Sequence, residues 1–270
     1  MPEIEYIYNI FKKHPVVCTD TRVIEKDCLF FALKGDNFDG NKFSDEALQK
    51  GAAYAVVDDK RYAIGERIIL VDDVLTCLQE LATLHRSVFK FPVLGITGSN
   101  GKTTTKELLN AILSTQYSVH ATSGNFNNHI GVPLTLLKQR PEHNLMIIEM
   151  GANAIGEIAM LCNICDPDIG MITNIGKAHL KGFGSFEGVK KAKLELYNHI
   201  AKKKGLVFVN AEDELLMDAS ETIDRRTYGG DHANVKGSYE VDEKGCVRVL
   251  LQSDKGVIGF STNLFGSYNY

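Results

Sequence analysis

Short, nearly uninterrupted apolar runs alternate with longer amphipathic stretches along most of this chain. Cys28-Leu29-Phe30-Phe31-Ala32-Leu33, Ala53-Tyr54-Ala55-Val56-Val57 and Arg67-Ile68-Ile69-Leu70-Val71 each read as a strand. Ser44 to Lys50 reads as a helix ending at Gly51. From about Val74 to Val88, residues Leu75, Leu78, Leu81, Ala82 and His85 recur on one helical face. At Phe91-Pro92 the pattern restarts, because a charged helix end meets a proline that cannot continue it. The spacing therefore predicts a boundary between Arg86 and Pro92, with one domain over 1–88 and a second over 89–270.

The second part repeats strand, then helix. Val93-Leu94-Gly95-Ile96-Thr97 precedes a glycine loop and a helix of Thr103 to Ser114. Leu145-Met146-Ile147-Ile148-Glu149 precedes a helix ending near Cys165, and Ile169 to Asn174 precedes one of about Ser185 to Lys203, with Leu206-Val207-Phe208-Val209-Asn210 after it. Apolar strands alternating with helices imply a mostly parallel sheet covered on both faces. Towards the C-terminus the rhythm changes: Cys246 to Leu251 and Val257 to Ser261 flank Asp254-Lys255-Gly256, a hairpin at the edge of the core.

Composition acts mainly by exclusion. With 270 residues, 44% hydrophobic and 24% charged, the chain can bury a substantial core and is far from disordered compositions. Thirty basic against 34 acidic residues leave a net charge of −4 without a long like-charge block, which argues against nucleic-acid binding. The start, Met1-Pro2-Glu3-Ile4-Glu5, is acidic where a signal peptide would be basic, and no uncharged apolar run reaches the ~18 residues of a membrane span. A cytoplasmic protein with no membrane insertion is expected, and its six scattered cysteines fit reduced thiols. Cys162-Asn163-Ile164-Cys165 has neither the helix-opening position of a redox pair nor the second pair of a zinc site.

The chemistry begins at Gly98-Ser99-Asn100-Gly101-Lys102-Thr103. A glycine-rich turn between a buried strand and a helix converges backbone N–H groups on a polyphosphate; Lys102 would neutralise its oxygens and Thr103 would ligate Mg²⁺. The spelling departs from the strict phosphate-loop pattern, with Ile96 at the first glycine position and Gly95 one residue early. The fold class expected is thus α/β, with a small N-terminal α/β domain followed by a central P-loop-type ATPase domain. Parallel sheets bind ligands at the carboxyl ends of their strands, where Glu149, His179 and Asn210 also lie. Glu149 is placed to complete the Mg²⁺ coordination or to cap a helix; His179 reads as ligand or structural; Asn210 reads as a nucleotide contact or an Asx turn. Gly182-Phe183-Gly184-Ser185 reads as a turn capped by Ser185, or as a lid. Lys202-Lys203-Lys204 suits a helix C-terminus.

Four motifs in order carry a resemblance: Gly98 to Thr104, Gly124-Asn125-Phe126-Asn127-Asn128-His129-Ile130-Gly131-Val132-Pro133, Glu149-Met150-Gly151-Ala152-Asn153, and Ala178-His179-Leu180. Together they resemble the Mur ligases of peptidoglycan synthesis, and within them the branch that adds D-alanyl-D-alanine. Thr19-Asp20-Thr21-Arg22, Leu29 to Gly35 and Asp39-Gly40 resemble the family's uridine-nucleotide-binding domain. The resemblance implies an ATP-dependent amide ligase that phosphorylates the carboxylate of UDP-N-acetylmuramoyl-tripeptide and then joins it to D-alanyl-D-alanine. It implies two Mg²⁺ ions, one held by Thr103 and Glu149 and one by His179, and a CO₂-carbamylated lysine in an Ala-Lys-x-Glu context matched by Lys193. Lys102, His179 and Lys193 would be catalytic. Gly98, Ser99, Asn100, Gly101, Lys102, Thr103, Thr104, Asn127, Asn128, Asn210 and Asn269 would hold ATP, and Thr21 and Arg22 the uridine end.

Two departures stand out. In Gly266-Ser267-Tyr268-Asn269 a tyrosine replaces the family's common histidine, and the sequence ends at Tyr270, where family members continue into a third domain. A monomer that binds the UDP-peptide, and ATP weakly, without ligating is the resulting expectation. The alternatives are a Mur-type ligase adding a diamino acid, a folate ligase, a P-loop kinase and a non-catalytic nucleotide-binding module.

Overall fold

The computed structural model describes residues 3–176, 180–253 and 256–265. It opens with a helix absent from the reading above, α1 (Ile4–Lys13), whose buried Ile7, Ile10 and Phe11 follow the i, i+3, i+4 spacing of a single stripe. Then come β1 (Val17–Cys18), β2 (Leu29–Phe31), a ribbon of β3 (Lys34–Gly35) and β4 (Phe38–Asp39), α2 (Ser44–Gln49), β5 (Tyr54–Val57), β6 (Ile68–Leu70) and α3 (Val74–Ser87). Strands β1, β2, β5 and β6 form a parallel sheet in that order. Successive side chains of a strand point to opposite faces, so Leu29 and Phe31 join one core cluster while Cys28, Phe30 and Ala32 join the other.

Asp73 caps α3, accepting the Thr76 N–H at 2.6 Å. The buried face of α3 is Val74, Cys77, Leu78, Leu81, Ala82, His85 and Arg86. Leu75, expected on that face, is only half-buried: the stripe runs through 74, 77, 78, 81 and 85, which leaves 75 at its margin.

The second sheet, among the described residues, has nine strands. They are β7 (Val93–Thr97), β8 (Val119–Ala121), β9 (Leu145–Glu149), β10 (Ile169–Ile172), β11 (Leu206–Asn210), β12 (Asp224–Gly229), β13 (Val235–Val241), β14 (Cys246–Ser253) and β15 (Gly256–Phe265). Their order is β15-β14-β13-β12-β11-β10-β7-β9-β8, parallel from β8 to β13 and antiparallel across β13, β14 and β15. The expected hairpin is therefore part of a larger extension of the sheet. Helices α4 (Lys102–Leu113), α5 (Gly131–Leu137), α6 (Glu157–Cys165), α7 (Leu180–Phe183), α8 (Phe186–Lys203) and α9 (Glu214–Ala219) connect the strands.

Strands β7 and β9 are buried along their whole length, as their apolar spelling requires, and β7 lies between β10 and β9. The carboxyl ends of these three strands consequently share one edge. Helix α3 packs on α1, α5 and α6, and one core cluster runs from Ile7 and Leu29 through Leu81 to Met146 and Leu196. No described helix is long and apolar enough to cross a membrane.

Candidate functional site

The loop from β7 to α4 is shaped by its glycines. Gly98 has φ 148° and a Cβ there would lie 2.0 Å from Thr173 Oγ1, so that position has no room for a side chain, while Gly101, with φ 78° and open space around it, holds a left-handed backbone that favours glycine. Residues 173–176, after β10, are stapled to this loop. Ser99 N–H donates to Asn174 O at 3.0 Å, Asn100 N–H donates to Asn174 Oδ1 at 3.1 Å, and Thr173 Oγ1 donates to Asn100 O at 2.6 Å. Ser99 Oγ both donates to Gly176 O and accepts the Gly176 N–H. Helix α4 starts without a side-chain cap, which leaves first-turn N–H groups for an anion. Lys102 Nζ folds back onto Gly98 O at 2.8 Å and Ser99 O at 3.2 Å, and burial lowers its pKa against the opposing pull of Glu149.

At the end of β9, Glu149 is 1% exposed. Its carboxylate accepts from Thr103 Oγ1 at 3.0 and 3.2 Å and from Asn127 Nδ2 at 2.7 Å. Buried carboxylates are normally paired with a cation, yet the hydrogen-bond donors that meet this one among the described residues are neutral. A carboxylate and a hydroxyl beside a phosphate-binding loop are the hard oxygen donors that Mg²⁺ takes, so the residues present fit that ion.

Lys193 faces the same region from α8. It is 3% exposed, its Nζ lies 5.7 Å from the centre of the Phe183 ring, and its pKa is lowered to about 8. Burial is the main cause, Lys102 adds to it, and Glu157 and Glu195 oppose it. Its neighbours differ: Lys190 is half-buried and Lys191 exposed. Two carboxylates brace the surroundings. Glu195 accepts the Gly156 and Ala159 N–H groups at 2.6 and 2.8 Å and so caps α6, and Glu157 accepts the Asn153 N–H at 2.7 Å. A cleft of about 370 Å³ is lined by Gly98, Lys102, Asn127, Asn153, Glu157 and Lys193, among others.

The fold thus gathers Gly98, Ser99, Lys102, Asn127, Asn128 and Lys193 around one cleft, with Thr103 and Glu149 hydrogen-bonded beside it. Asn100, Gly101 and Thr104 complete the loop and the first turn of α4. Asn128 also accepts the Ile130 and Gly131 N–H groups at 3.1 and 2.8 Å and thereby caps the start of α5. Asn210 is not brought in: β11 is separated from β7 by β10, and its Oδ1 accepts the Glu212 N–H at 3.0 Å in an Asx turn. Thr21 and Arg22 sit in the N-terminal unit, where Arg22 is exposed and paired with Asp20. The flanking Asp20 and Val23 line a separate cleft of about 570 Å³ against Ser123, Phe126 and Arg140. His179 and Asn269 lie outside the described residues. Ser185 caps α8 by accepting the Gly188 N–H at 3.1 Å, and Lys203 pairs with Asp166 and Asp168 at the other end. Cys162 and Cys165 are buried with Sγ atoms 3.9 and 4.0 Å from Met150 Sδ, and burial raises both pKa values. Reasoning from sequence passed over Thr173, Asn174 and Glu157, because a backbone-stapling or capping role leaves no local spelling, and it reached Glu195 only as the last residue of the Ala-Lys-x-Glu context.

Comparison with known proteins bears on this arrangement. A sequence signature described as Mur ligase middle domain matches residues 96–270, and one described as Mur ligase family, catalytic domain, matches residues 15–86. The chain belongs to the Mur ligase family. Among curated Mur ligases it is 44% identical to UDP-N-acetylmuramoyl-tripeptide–D-alanyl-D-alanine ligase of Bacillus subtilis (strain 168) over 216 residues, 79% of this chain and 47% of that one. The enzyme of the same name from Escherichia coli (strain K12) is 40% identical over 210 residues, covering 78% and 46%. In structure, MurF of Acinetobacter baumannii superposes with a TM-score of 0.84 at 33% identity, covering 94% of this chain and 56% of that one. MurF ligase of Thermotoga maritima in complex with ADP gives 0.84 at 28%, covering 100% and 61%. This Mur ligase chain spans about half the length of the curated relatives it matches.

Proposed function

We propose that this chain supplies the nucleotide- and UDP-substrate-binding part of an ATP-dependent ligase that joins D-alanyl-D-alanine to UDP-N-acetylmuramoyl-tripeptide. The observation that carries the reading is the buried Glu149 carboxylate, tied to Thr103 of the phosphate loop and to Asn127, with Lys193 lining the same cleft. The names of the similar proteins supply the substrate class.

A carboxylate is a poor electrophile because its oxide is a poor leaving group, so it is first converted to an acyl phosphate with the γ-phosphoryl group of ATP. The amine of D-alanyl-D-alanine then attacks the acyl carbon and inorganic phosphate departs. In this division of labour the backbone N–H groups of residues 98–103 cradle the phosphates and Lys102 leaves its own loop carbonyls for their oxygens. Thr103 and Glu149 would hold one Mg²⁺ and His179 and Lys193 the second. These ions, when bound, offset the repulsion between the anionic carboxylate and the triphosphate. A cationic lysine is ill-suited to that task. The lowered pKa of Lys193 keeps part of its amine neutral near pH 8, the form that adds CO₂, and the carbamate is an anionic oxygen donor. The second cleft, beside Thr21 and Arg22, is then the place for the uridine end.

Calorimetric titration of the chain with UDP-N-acetylmuramoyl-tripeptide and with ADP, each with and without Mg²⁺, tests the reading. Binding of both is expected, with ADP affinity strengthened by Mg²⁺ and abolished by Lys102→Ala. Failure of the UDP-peptide to bind would overturn the substrate assignment.

A further inference from the structure

Lys106 lies one helical turn beyond Lys102 on α4 and is 1% exposed, which makes it one of the largest fully buried side chains of the molecule. A buried ammonium is expensive unless it is paired, and a purely packing position on a helix is filled more cheaply by an apolar side chain. The Nζ of Lys106 donates to Thr122 O at 2.6 Å, and Glu107, itself 60% exposed, covers it from the solvent side at 2.8 Å. Thr122, also 1% exposed, immediately follows β8. Its N–H donates to Ile147 O at 2.9 Å, and its Oγ1 accepts the backbone N–H of Glu149 at 3.0 Å.

From these contacts we infer that Lys106 is a positioning residue for the metal-binding carboxylate. The cation fixes the Thr122 carbonyl, the Thr122 hydroxyl fixes the backbone of Glu149, and the loop that leaves Thr122 carries Asn127 back to the Glu149 carboxylate. Hydrogen bonds through Thr122 therefore link the helix that bears Thr103 to the backbone of Glu149, and the loop of residues 123–126 runs from the same threonine to Asn127. Thr103 and Lys106 sit three residues apart, so α4 sets the hydroxyl and the carboxylate in a common frame. Partners beyond the direct ligands set ligand orientation and commonly change metal affinity about 10–100-fold when removed. The inference rests on the reading of Thr103 and Glu149 as a Mg²⁺ site.

The test uses the whole 270-residue chain with Lys106→Met, which keeps the length of the stem, Lys106→Arg and Thr122→Val. ADP binding is titrated with and without Mg²⁺, and amide hydrogen exchange is followed over residues 119–128 and at Glu149. Lys106→Met and Thr122→Val are each expected to weaken Mg²⁺-dependent ADP binding by about tenfold while metal-free binding changes less than twofold. Lys106→Arg is expected to restore most of the loss, and exchange at Glu149 to quicken in both weakened variants. Equal losses with and without Mg²⁺, or unchanged exchange at Glu149 in Lys106→Met, would overturn the inference. Absence of ADP binding in the unaltered chain would sink the functional reading instead, and the exchange measurement would still decide the role of Lys106.

Discussion

A lysine amine held near pH 8 is a chemical statement about its surroundings and also a statement about stability. Lys193 has a folded-state pKa of about 8 against an ordinary 10.5, so between those values the unfolded chain binds more protons than the folded one. The contribution of Lys193 to stability therefore rises with pH through that window. Below pH 8 the fold carries the full cost of confining the ammonium, about 3 kcal/mol at most. Urea unfolding in CO₂-free buffer from pH 7 to pH 10 is expected to show this rise as the difference between the unaltered chain and Lys193→Met, because the buried thiols of Cys162 and Cys165, kept protonated by burial, lower the stability of both proteins towards pH 10; Lys193→Met is expected to be the more stable of the two at pH 7. A parallel pH dependence in the two proteins would rule the account out. Added ¹³C-bicarbonate should give a carbamate resonance that Lys193→Met lacks. At this scale the sequence was most informative where function forces spelling: Gly98, Gly101, Lys102, Thr103 and Glu149 were legible because a phosphate loop and a strand end allow few alternatives. Lys106 was not, since a buried and a solvated lysine on a helix are written alike, and Asn210 stayed open between a nucleotide contact and the Asx turn it makes because a strand-terminal asparagine serves either.

Helices α6 and α8 show how elements inherit their placement from single side chains. Glu195 on α8 accepts two N–H groups at the start of α6, which orients Asn153, Glu157 and Met160 towards the cleft faced by Lys193. Glu195→Ala leaves both N–H groups without this partner, and a loss of about 1–2 kcal/mol is expected, the scale of other removed caps. Chemical unfolding measures the loss, and Glu195→Gln should recover part of it because the amide oxygen still accepts. An unchanged midpoint for Glu195→Ala would show that solvent satisfies those groups. The elements of the central sheet were readable because strands buried on both faces are spelled as continuous apolar runs, and β7 and β9 fall where that pattern places them. Helix α1 escaped because its partner α3 lies far along the chain, and strands β12 and β13 because they are polar, β13 being largely exposed as well, and acquire their conformation by pairing, β12 with β11 and β13 with β12 and β14.

For the molecule as a whole, the pattern along the chain and the packing divide the protein differently. The restart at Pro92 suggests two domains meeting near residue 88, and the cleft beside Lys102 lies wholly in the second, whereas the cleft beside Asp20 is lined from both sides of that boundary. The core is nevertheless shared, because α3 belongs by sequence to the first unit and buries Leu78 and Leu81 in a cluster that reaches Val132, Leu136 and Ile158 of the second. Arg86 ties the connection down, donating to Cys165 O at 3.1 Å and Phe89 O at 2.8 Å and pairing with Asp168 at 3.2 Å. A common core couples the unfolding of the parts that share it. Tyrosine fluorescence and far-ultraviolet circular dichroism should therefore trace one coincident unfolding transition. Leu81→Ala, which removes a fully buried side chain from the shared cluster, should lower that transition by about 2–5 kcal/mol without splitting it. Two separated transitions, with only the weaker one moved by Leu81→Ala, would mean that α3 stabilises the first unit alone and that the two clefts are free to move independently.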